Sequence, residues 1–432
     1  MADFKYLAIY DKFRQLIASG VMKSGSKLPS IRKYAADNEL SRTTVQTAYE
    51  CLLADGYITS KPQSGYFVAT NTVINNTKPA EVSVKKQSAK YDLASERADS
   101  DSFDFALWQR YIKSVLRQSD RLLSYGEPQG EYELRSALAD YLSQKRSVMC
   151  NADNIVIGAG FQSLLRILLA LEDDKKTVCF SSDDFKQAQV IFADSGFSQT
   201  TQSNADICYV TPSRFHRKGD VMQPNERFSF VKNALKNGQI IIEDDYGSEF
   251  SGFLRPLPTL HSISGGENVV YLSTFSKLLI PSIRLSFMVL PDSLLKAYYT
   301  RRDYYNQTAS KIEQLALCRF ILDGHLSTQI RKVRKIYSQK AEFVKETVNR
   351  IFSDNAKIYD EDSGRYLRLE IKSKMSAAKI SQIAKSRSLI ITPIENSDIY
   401  AKFIISYYGV DEENLKNALE ILHDITHNGN IN

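Results

Sequence analysis

Residues 269–287 read VVYLSTFSKLLIPSIRLSF, and this stretch carries the most information about the fold. An apolar run is followed by hydroxyl residues and a lysine, and an arginine comes seven residues after that lysine. Short apolar runs bounded by turn residues are typical of buried strands in parallel sheets. Ligands bind at the carboxyl ends of such strands in open α/β folds. We therefore expect Lys277 and Arg284 to lie at a ligand site.

Similar runs recur on both sides of this stretch and alternate with helical segments. They read NIVIGAG, TVCFS, ADICYVTP, QIIIEDD and SFMVLP. The alternation predicts an α/β domain with a mainly parallel central sheet covered by helices on both faces. Asp244 ends one of these strands, and Gly158-Ala159-Gly160 follows another where a helix opens. Backbone N–H groups at a helix start favour phosphate.

The polar residues at these strand ends match the needs of pyridoxal 5'-phosphate. This cofactor requires a lysine for its aldehyde, a carboxylate opposite its pyridine nitrogen, and hydroxyls with an arginine for its phosphate. The chain supplies Lys277, Asp244, Thr274, Ser276 and Arg284. A lysine considered alone is most often a solvated surface residue. The prediction therefore depends on the strand-end position and on the neighbouring groups.

The N-terminal region shows a second pattern. Apolar residues recur at helical spacing from Leu7 to Ala18, and Ser30 and Ser41 are placed to cap two further helices. In the third helix, within SRTTVQTAYECLLADGY at 41–57, hydrogen-bonding side chains cluster at the N-terminal end. Two β-rich runs, YITS and YFVA, follow and are joined by KPQSG. Arg and Gln at the start of a third helix, followed by a two-stranded wing, are typical of DNA recognition.

Length and composition are compatible with a small domain followed by a large one. The chain has 432 residues and a formal net charge of +6, which permits nucleic-acid binding without arguing for it alone. We predict a DNA-binding domain at 1–70, a flexible linker at 71–91 and a ligand-binding domain at 92–432. Five scattered cysteines without a Cys-x-x-Cys pair argue against a disulfide framework or a zinc site. The absence of a long apolar run predicts a cytoplasmic protein without membrane contact.

Residues 6–69 resemble the winged helix-turn-helix of the GntR regulators. The segments that carry the resemblance are KLPSIRKYA, LSRTTVQTAYECLLADGYI and SGYFV. The resemblance implies binding to a double-stranded DNA operator. The residues that it assigns to DNA contact are Arg32, Arg42, Thr43, Thr44 and Gln46 in the helices, with Lys61 and Gly65 in the wing.

Residues 103 to about 425 resemble the fold-type I aminotransferases, and the whole chain resembles the MocR subfamily of GntR regulators. The carrying segments are YGEPQGEYELRSALADYL, NIVIGAGFQSLL, ICYVTPS, IIEDDYGSEF, RPLPTL and YLSTFSKLLIPSIRLSFMVLP. The resemblance implies that Lys277 bonds to the aldehyde of pyridoxal phosphate and that Asp244, with Asp245 as second candidate, lies at its pyridine nitrogen. Tyr246 is implied near the phenolic oxygen of the cofactor. Its phosphate is implied to be held by Arg284 and by the helix start at Gly160, Phe161 and Gln162. Phe185 is expected to stack on the ring. The resemblance also implies a homodimer in which Tyr125 reaches the site of the second subunit.

Departures from the family pattern cluster where a substrate would lie. Gln187 stands in place of a more usual arginine, and Arg214 in place of a histidine, where it could serve a different anion. Ile404 stands where aminotransferases have a carboxylate-binding arginine, and isoleucine cannot form such a clamp. Lys402 is the candidate replacement as a point charge.

These departures favour a regulator over an enzyme, with at most a weak half-transamination. We expect the large domain to sense an amine or amino acid effector through pyridoxal phosphate, or to sense pyridoxal phosphate itself. Two alternatives stay open at this point. The domain could be an active aminotransferase that carries a DNA-binding domain, or a cofactor-free dimerisation domain.

Overall fold

The chain forms two compact units, Met1–Gln87 and Ser88–Asn432. A computed structural model describes residues 5–69, 89–95, 97–172, 176–182, 185–214, 221–245, 247–250, 257–359, 366–394 and 399–431. Most of the predicted linker, from residue 71 to 88, lies outside the described residues. Tyr91, which the sequence interpretation assigned to the linker, is buried and belongs to a strand of the large unit.

The N-terminal unit contains three helices and a hairpin. Its elements are α1 Lys5–Ala18, α2 Ile31–Asp37, α3 Arg42–Ala54, β1 Ile58–Lys61 and β2 Gly65–Val68. The hydroxyls of Ser30 and Ser41 accept hydrogen bonds from the backbone N–H groups of Lys33 and Thr44, which satisfies donors that the first turns of α2 and α3 leave open. Apolar residues from all three helices and both strands form one small core. The predicted helix, turn, helix and wing are confirmed.

The helices of the large unit surround its sheets. They are α4 Phe105–Leu116, α5 Ser119–Leu122, α6 Tyr132–Arg146, α7 Phe161–Leu169, α8 Lys186–Asp194, α9 Pro224–Lys236, α10 Leu260–Ser264, α11 Asp292–Arg301, α12 Lys311–Leu322, α13 His325–Phe352, α14 Ala377–Ser386 and α15 Glu412–Ile431. Its strands are β3 Tyr91–Asp92, β4 Ile155–Gly158, β5 Thr177–Phe180, β6 Ser198–Gln199, β7 Ile207–Val210, β8 Ile240–Asp244, β9 Val269–Thr274, β10 Ser286–Val289, β11 Ala356–Tyr359, β12 Tyr366–Lys372, β13 Leu389–Ile390, β14 Thr392–Pro393 and β15 Tyr400–Ser406.

The central sheet is mainly parallel, as the sequence predicts. Within the described residues, seven strands lie in the order β4-β10-β9-β8-β7-β5-β6. β6, β5, β7, β8 and β9 pair in parallel, and β10 runs antiparallel between β9 and β4. The strands β4, β7 and β10 are buried along their whole length, which explains why their sequences are continuously apolar. Because β8 and β9 are parallel neighbours, their carboxyl ends lie side by side at one edge of the sheet.

The YGEPQG motif lies in the loop before α6 and contacts strand β4 by hydrogen bonds and close packing. The side-chain amide of Gln129 donates hydrogen bonds to the carbonyl oxygens of Asp153, at 2.7 Å, and Ile155, at 2.9 Å. Gly130 has φ of +101°, and a Cβ atom there would lie 2.5 Å from Cγ1 of Ile157. Only glycine fits this close approach without strain. This part of the motif is therefore explained by packing.

The C-terminal part of the large unit is built on a smaller antiparallel sheet. β11, β12, β15 and β14 lie in that order, and β13 pairs in parallel with β3. Alternate residues of β12 and β15, including Leu369 and Phe403, enter the largest apolar core. Among the described residues, no helix has the length and apolar character needed to cross a bilayer.

Candidate functional site

A cavity of about 660 Å³ opens at the carboxyl ends of the central strands. It is bounded by the ends of β8 and β9, the loop that leads to β10, and the first turns of α7 and α8. The described residues that line it are Gly160, Phe161, Gln162, Phe185, Lys186, Gln187, Ala188, Tyr209, Asp244, Leu272, Ser273, Thr274, Ser276, Lys277, Pro281 and Arg284. Segments that are more than a hundred residues apart in sequence thus meet around one space.

Asp244 is the last residue of β8, and its carboxylate is held by the neighbouring strand. The hydroxyl of Tyr209, on β7, donates a hydrogen bond of 2.6 Å to Oδ2 of Asp244. Tyr209 is itself fixed, because its ring packs against Phe180 at 5.7 Å and Phe185 at 5.5 Å between ring centroids. The carboxylate is therefore presented to the cavity in one orientation. The sequence interpretation did not single out Tyr209, since its pairing partner became known only with the strand order.

Asp245 points away from the cavity and into a buried ionic cluster. Nη2 of Arg146 lies 2.6 Å from Oδ2 of Asp245, and the hydroxyl of Tyr271 donates to the same oxygen. Although burial opposes ionisation, Arg146 and Tyr271 hold the pKa of Asp245 below its usual value. Burial, and then the nearby Asp245, raise the pKa of Glu243 to about 7. Of the two aspartates, Asp244 is the one that lines the cavity.

One end of the cavity forms a cradle for an anion. Gly160 precedes the first turn of α7 with φ of +95°, and a Cβ atom there would lie 2.3 Å from Nη2 of Arg284. Nη1 of Arg284 lies 3.4 Å from the hydroxyl of Ser276, which in turn accepts a hydrogen bond from Thr274 at 3.1 Å. Guanidinium, hydroxyl and helix N-terminal N–H groups are donors that bind phosphate. This donor set fits the phosphate of pyridoxal phosphate.

Arg284 adopts an unusual backbone conformation. Its φ of +54° lies in the left-handed region, which is uncommon for residues other than glycine. Such a conformation costs on the order of 1–3 kcal/mol and tends to occur at functional sites. Here it turns the guanidinium toward Gly160 and Ser276.

Lys277 lines the same cavity and lies beside a pair of packed aromatic rings. Its Nζ atom is 5.8 Å from the centroid of the Tyr408 ring, within the range of a cation–π contact. Tyr408 packs in turn against Tyr337, with ring centroids 4.1 Å apart. The lysine amine is thus within the cavity, close to the strand end that carries Thr274.

The opposite side of the cavity is lined by residues from the first turns of α7 and α8. Phe185 is buried at the start of α8, where its ring also contacts Tyr209. Nε2 of Gln162 lies 3.4 Å from Oε1 of Gln187, and Lys186 lies between Gln187 and Phe185 in sequence. Lys186 is a second lysine at the cavity that the sequence interpretation did not name.

Other predicted site residues do not line this cavity in the described part of the chain. Tyr125 has a fully exposed side chain.

Lys402 and Ile404 lie on β15, away from the cavity lining. Lys402 forms an ion pair with Glu370 at 3.5 Å, and Ile404 is buried opposite Arg368 on β12. Lys402 does not line the cavity in this structure, and Glu370 lies near both Lys402 and Arg368, so the effector role of Lys402 stays a prediction. Tyr246 lies outside the described residues. The backbone of Arg214 ends a short 3-10 helix that starts at Pro212, and its side chain is outside the described part.

The predicted DNA-contact residues lie on the surface of the N-terminal unit. Arg32, Arg42, Thr43, Gln46, Lys61 and Gly65 are exposed. Thr44 is half-buried, and its hydroxyl lies 2.7 Å from the capping hydroxyl of Ser41. The amide of Gln46 donates to Glu50 at 2.9 Å, and the ammonium of Lys61 lies 4.9 Å from the Phe67 ring centroid. Both contacts are exposed and can exchange for contacts with DNA.

The two units match two protein families. Residues 5–68 match the bacterial regulatory proteins of the gntR family, and residues 92–204 match class I and II aminotransferases. A winged helix-turn-helix joined to an aminotransferase-like domain defines a class of DNA-binding transcriptional regulator. The combination, rather than either unit alone, makes this assignment.

Proteins named as transcriptional regulators align with 78% to 96% of the chain. The chain is 32% identical to the HTH-type transcriptional regulator YdeL of Bacillus subtilis, over 96% of each protein. It is 25% identical to the probable rhizopine catabolism regulatory protein MocR of Rhizobium meliloti, over 96% of this chain and 92% of that protein. It is also 25% identical to the pyridoxine biosynthesis regulator PdxR of Corynebacterium glutamicum, over 78% and 77%. The chain belongs to the MocR subfamily of GntR regulators.

Solved structures of aminotransferases share the fold of the large unit. Kynurenine aminotransferase of Pyrococcus horikoshii superposes with a TM-score of 0.67 at 18% identity, covering 78% of this chain and 91% of that one. The α-aminoadipate aminotransferase LysN of Thermus thermophilus gives 0.65 at 19% identity, covering 78% and 92%. At these identities the likeness concerns the fold alone.

Proposed function

We propose that the large domain of this transcriptional regulator binds pyridoxal 5'-phosphate through Lys277 and senses a small effector at the same cavity. The observation that carries the proposal is the convergence of Lys277, Asp244 and Arg284 on one space of about 660 Å³. They supply the amine, the carboxylate and the guanidinium that this cofactor needs. The proposed effector is an amine, an amino acid or pyridoxal phosphate itself.

Different residues around the cavity bind different parts of the cofactor. Arg284, Ser276, Thr274 and the N–H groups at the start of α7 bind the phosphate. Asp244, oriented by Tyr209, would serve the pyridine nitrogen and favour its protonated form. Phe185 covers the ring. When bound, pyridoxal phosphate supplies an aldehyde that bonds reversibly to primary amines.

The amine of Lys277 makes the protein responsive to other amines. With the cofactor bound, an effector with a primary amine would compete with Lys277 for the aldehyde, and the lysine would then be held by the protein alone. The Tyr408 ring is positioned to hold the released ammonium. An effector that binds one arrangement of the domain more tightly than the other shifts the population toward it.

Regulation requires that the cavity be coupled to DNA affinity. We propose a homodimer in which ligand binding alters the large domains and thereby the presentation of the two winged helix-turn-helix units to an operator. The coupling is reciprocal, so DNA changes ligand affinity by the same factor. Tyr125, with its fully exposed ring, is the proposed contribution of one subunit to the site of the other.

Regulation is favoured over enzymatic turnover by the effector side of the cavity. Gln162 and Gln187 are neutral, Lys186 supplies only a point charge, and Lys402 lies outside the cavity lining beside Glu370. A substrate held without a bidentate arginine clamp loses positioning that supplies much of an enzyme's rate.

The proposal is tested by titrating pyridoxal phosphate into the full-length protein and into the variants Lys277→Ala and Lys186→Ala. Visible absorbance is recorded after excess cofactor is removed, and the protein is then reduced with borohydride and mapped by mass spectrometry. We expect a covalent adduct on Lys277 in the wild type and in Lys186→Ala, and none in Lys277→Ala. A wild type without an adduct would leave the large unit as a cofactor-free dimerisation domain. Steady turnover with an amino donor and a keto acid would instead identify an active aminotransferase.

A further inference from the structure

Two cysteines that are 29 residues apart in sequence lie side by side in the central sheet. Cys179 on β5 and Cys208 on β7 are directly paired in the parallel register. Their Sγ atoms are 3.2 Å apart, and both residues are reduced and buried. Nothing in the spacing of the five cysteines indicates this pair, because it depends on the strand order.

The geometry of the pair is close to that of a disulfide. Adjacent strands lie about 4.8 Å apart, which places paired Cα atoms within the range of about 4.4–6.8 Å found across disulfides. The Sγ atoms need to approach by only about 1.1 Å to reach the usual bond length of about 2.05 Å.

The two thiols differ in pKa and in exposure. The contact with Cys208 lowers the pKa of the Cys179 thiol, whereas the contact with Cys179 and then burial raise the pKa of Cys208. Cys179 is 7% exposed and Cys208 is 0% exposed. We therefore expect a small oxidant such as a peroxide to reach Cys179 first and to react with its thiolate.

We propose that Cys179 and Cys208 are a redox-active pair that a peroxide converts to a disulfide. The Cys179 thiolate attacks one peroxide oxygen, the O–O bond breaks, and with one proton the other oxygen leaves as water, or as an alcohol from an organic peroxide. Cys179 is then a sulfenic acid. The sulfur of Cys208 attacks the sulfenic sulfur, the S–O bond breaks, and the proton of Cys208 leaves with the hydroxide as water. Two thiols are oxidised by two electrons, and one peroxide is reduced.

The position of the pair connects it to the cavity. Cys208 precedes Tyr209, the residue that holds Asp244, and Phe180, next to Cys179, is the strand partner of Tyr209. Formation of the bond moves the two Sγ atoms from 3.2 Å to about 2.05 Å apart, and the residues that carry them adjoin Tyr209 and its strand partner Phe180. We expect this movement to loosen the contact between Tyr209 and Asp244. This consequence rests on the proposed function, whereas formation of the disulfide does not.

Peptide mapping tests the pair directly. Full-length protein is treated with hydrogen peroxide, its free thiols are blocked, and it is digested with trypsin without reductant. Cleavage after Lys176, Lys186 and Arg214 places Cys179 in residues 177–186 and Cys208 in residues 187–214, with one cysteine in each peptide. We expect these two peptides to be cross-linked, with a mass two hydrogens below their sum, and to separate on reduction.

Variants distinguish the pair from general oxidation. Cys208→Ala should abolish the cross-link and leave Cys179 as a sulfenic or sulfinic acid, whereas Cys318→Ala should leave the cross-link unchanged. The proposal is overturned if Cys179 and Cys208 remain unlinked at peroxide concentrations that oxidise the half-buried Cys51.

A second measurement tests the link between the cysteine pair and the cavity. Oxidised wild type should bind pyridoxal phosphate at least threefold more weakly than reduced protein, and the affinity of Cys208→Ala should not change with oxidation. A disulfide without any change in affinity would contradict the link to Tyr209, and a protein that binds no cofactor in either state would refute the proposed function and leave the mapping result intact.

Discussion

The hydroxyl of Tyr209 donates a hydrogen bond of 2.6 Å to the carboxylate of Asp244. The two residues lie on the neighbouring strands β7 and β8, 35 residues apart in sequence. A hydrogen bond to a charged group contributes about 1.5–3 kcal/mol and fixes the direction of the carboxylate. Tyr209 is thus the residue that converts an acid at a strand end into an oriented partner for a bound ring.

Loss of the Tyr209 hydroxyl should weaken cofactor binding. In Tyr209→Phe the carboxylate of Asp244 loses a donor while the aromatic packing stays, so we expect the Kd for pyridoxal phosphate to rise about tenfold or more. Absorbance titration measures this. Tyr298→Phe removes another buried tyrosine hydroxyl, on α11, and should leave the Kd unchanged. Equal affinities for all three proteins would show that the contact does not support binding.

Asp244→Asn should impair cofactor binding and Asp245→Asn should impair stability, although each removes one negative charge and the two residues are adjacent. Asp244→Asn should lower cofactor affinity at least tenfold and leave the melting temperature within about one degree of wild type. Asp245→Asn leaves Arg146 buried without its carboxylate, a change that costs about 3–5 kcal/mol, so the melting temperature should fall by several degrees. Scanning calorimetry of both variants, paired with titration, makes the comparison. A stable Asp245→Asn variant with lost binding would reverse the assignment of the two aspartates.

The anion cradle predicts that a single methyl group at Gly160 is disruptive. A Cβ atom there would lie 2.3 Å from the Arg284 guanidinium, so Gly160→Ala should displace Arg284 and reduce pyridoxal phosphate affinity at least tenfold. Gly196→Ala is the matched control, because Gly196 also has positive φ, at +83°, but has open space around it. Both variants introduce backbone strain of similar kind. If Gly196→Ala weakens binding as much as Gly160→Ala, strain rather than the cradle is responsible.

The sequence was sufficient for the elements of the N-terminal unit and for six of the seven described strands of the central sheet, but not for the antiparallel C-terminal sheet. Apolar runs located β8 and β9, and the polar residues that follow them identified Lys277, Asp244 and Arg284 as cavity residues. The contribution of Tyr209 required the order of β5, β7 and β8, and so did the pairing of Cys179 with Cys208. Period-two alternation separates Asp244 from Asp245, but it does not say which of the two faces carries the ligand.

Lys402 illustrates a limit of a different kind. Its position two residues before Ile404 on one strand suggested a substitute charge, and the strand assignment is right. The acid that neutralises it, Glu370, belongs to β12, and only the register between β12 and β15 brings the two together. Cross-strand partners of this kind are not encoded in local spacing.

The exposed first turn of α3 predicts a role for Arg42 in DNA binding. Arg42→Ala should weaken binding at least tenfold and, if the side chain contacts a phosphate, should reduce the slope of log K against log salt concentration by about 0.9. Fluorescence anisotropy with a DNA duplex selected from a random pool by the wild-type protein measures both. Arg14→Ala removes an equal charge from α1, where Arg14 pairs with Asp11 at 3.7 Å, and should have a much smaller effect. Equal losses in both variants would indicate a general charge effect instead of a recognition helix.

The central claim is that occupancy of the Lys277 cavity controls affinity for DNA. The most direct test compares the Kd for the selected duplex with and without saturating pyridoxal phosphate, at one salt concentration, for wild type and Lys277→Ala. We predict a change of at least about fivefold in the wild type, in the range typical of allosteric coupling, and none in Lys277→Ala. The same Kd for wild-type protein with and without the cofactor would contradict the account.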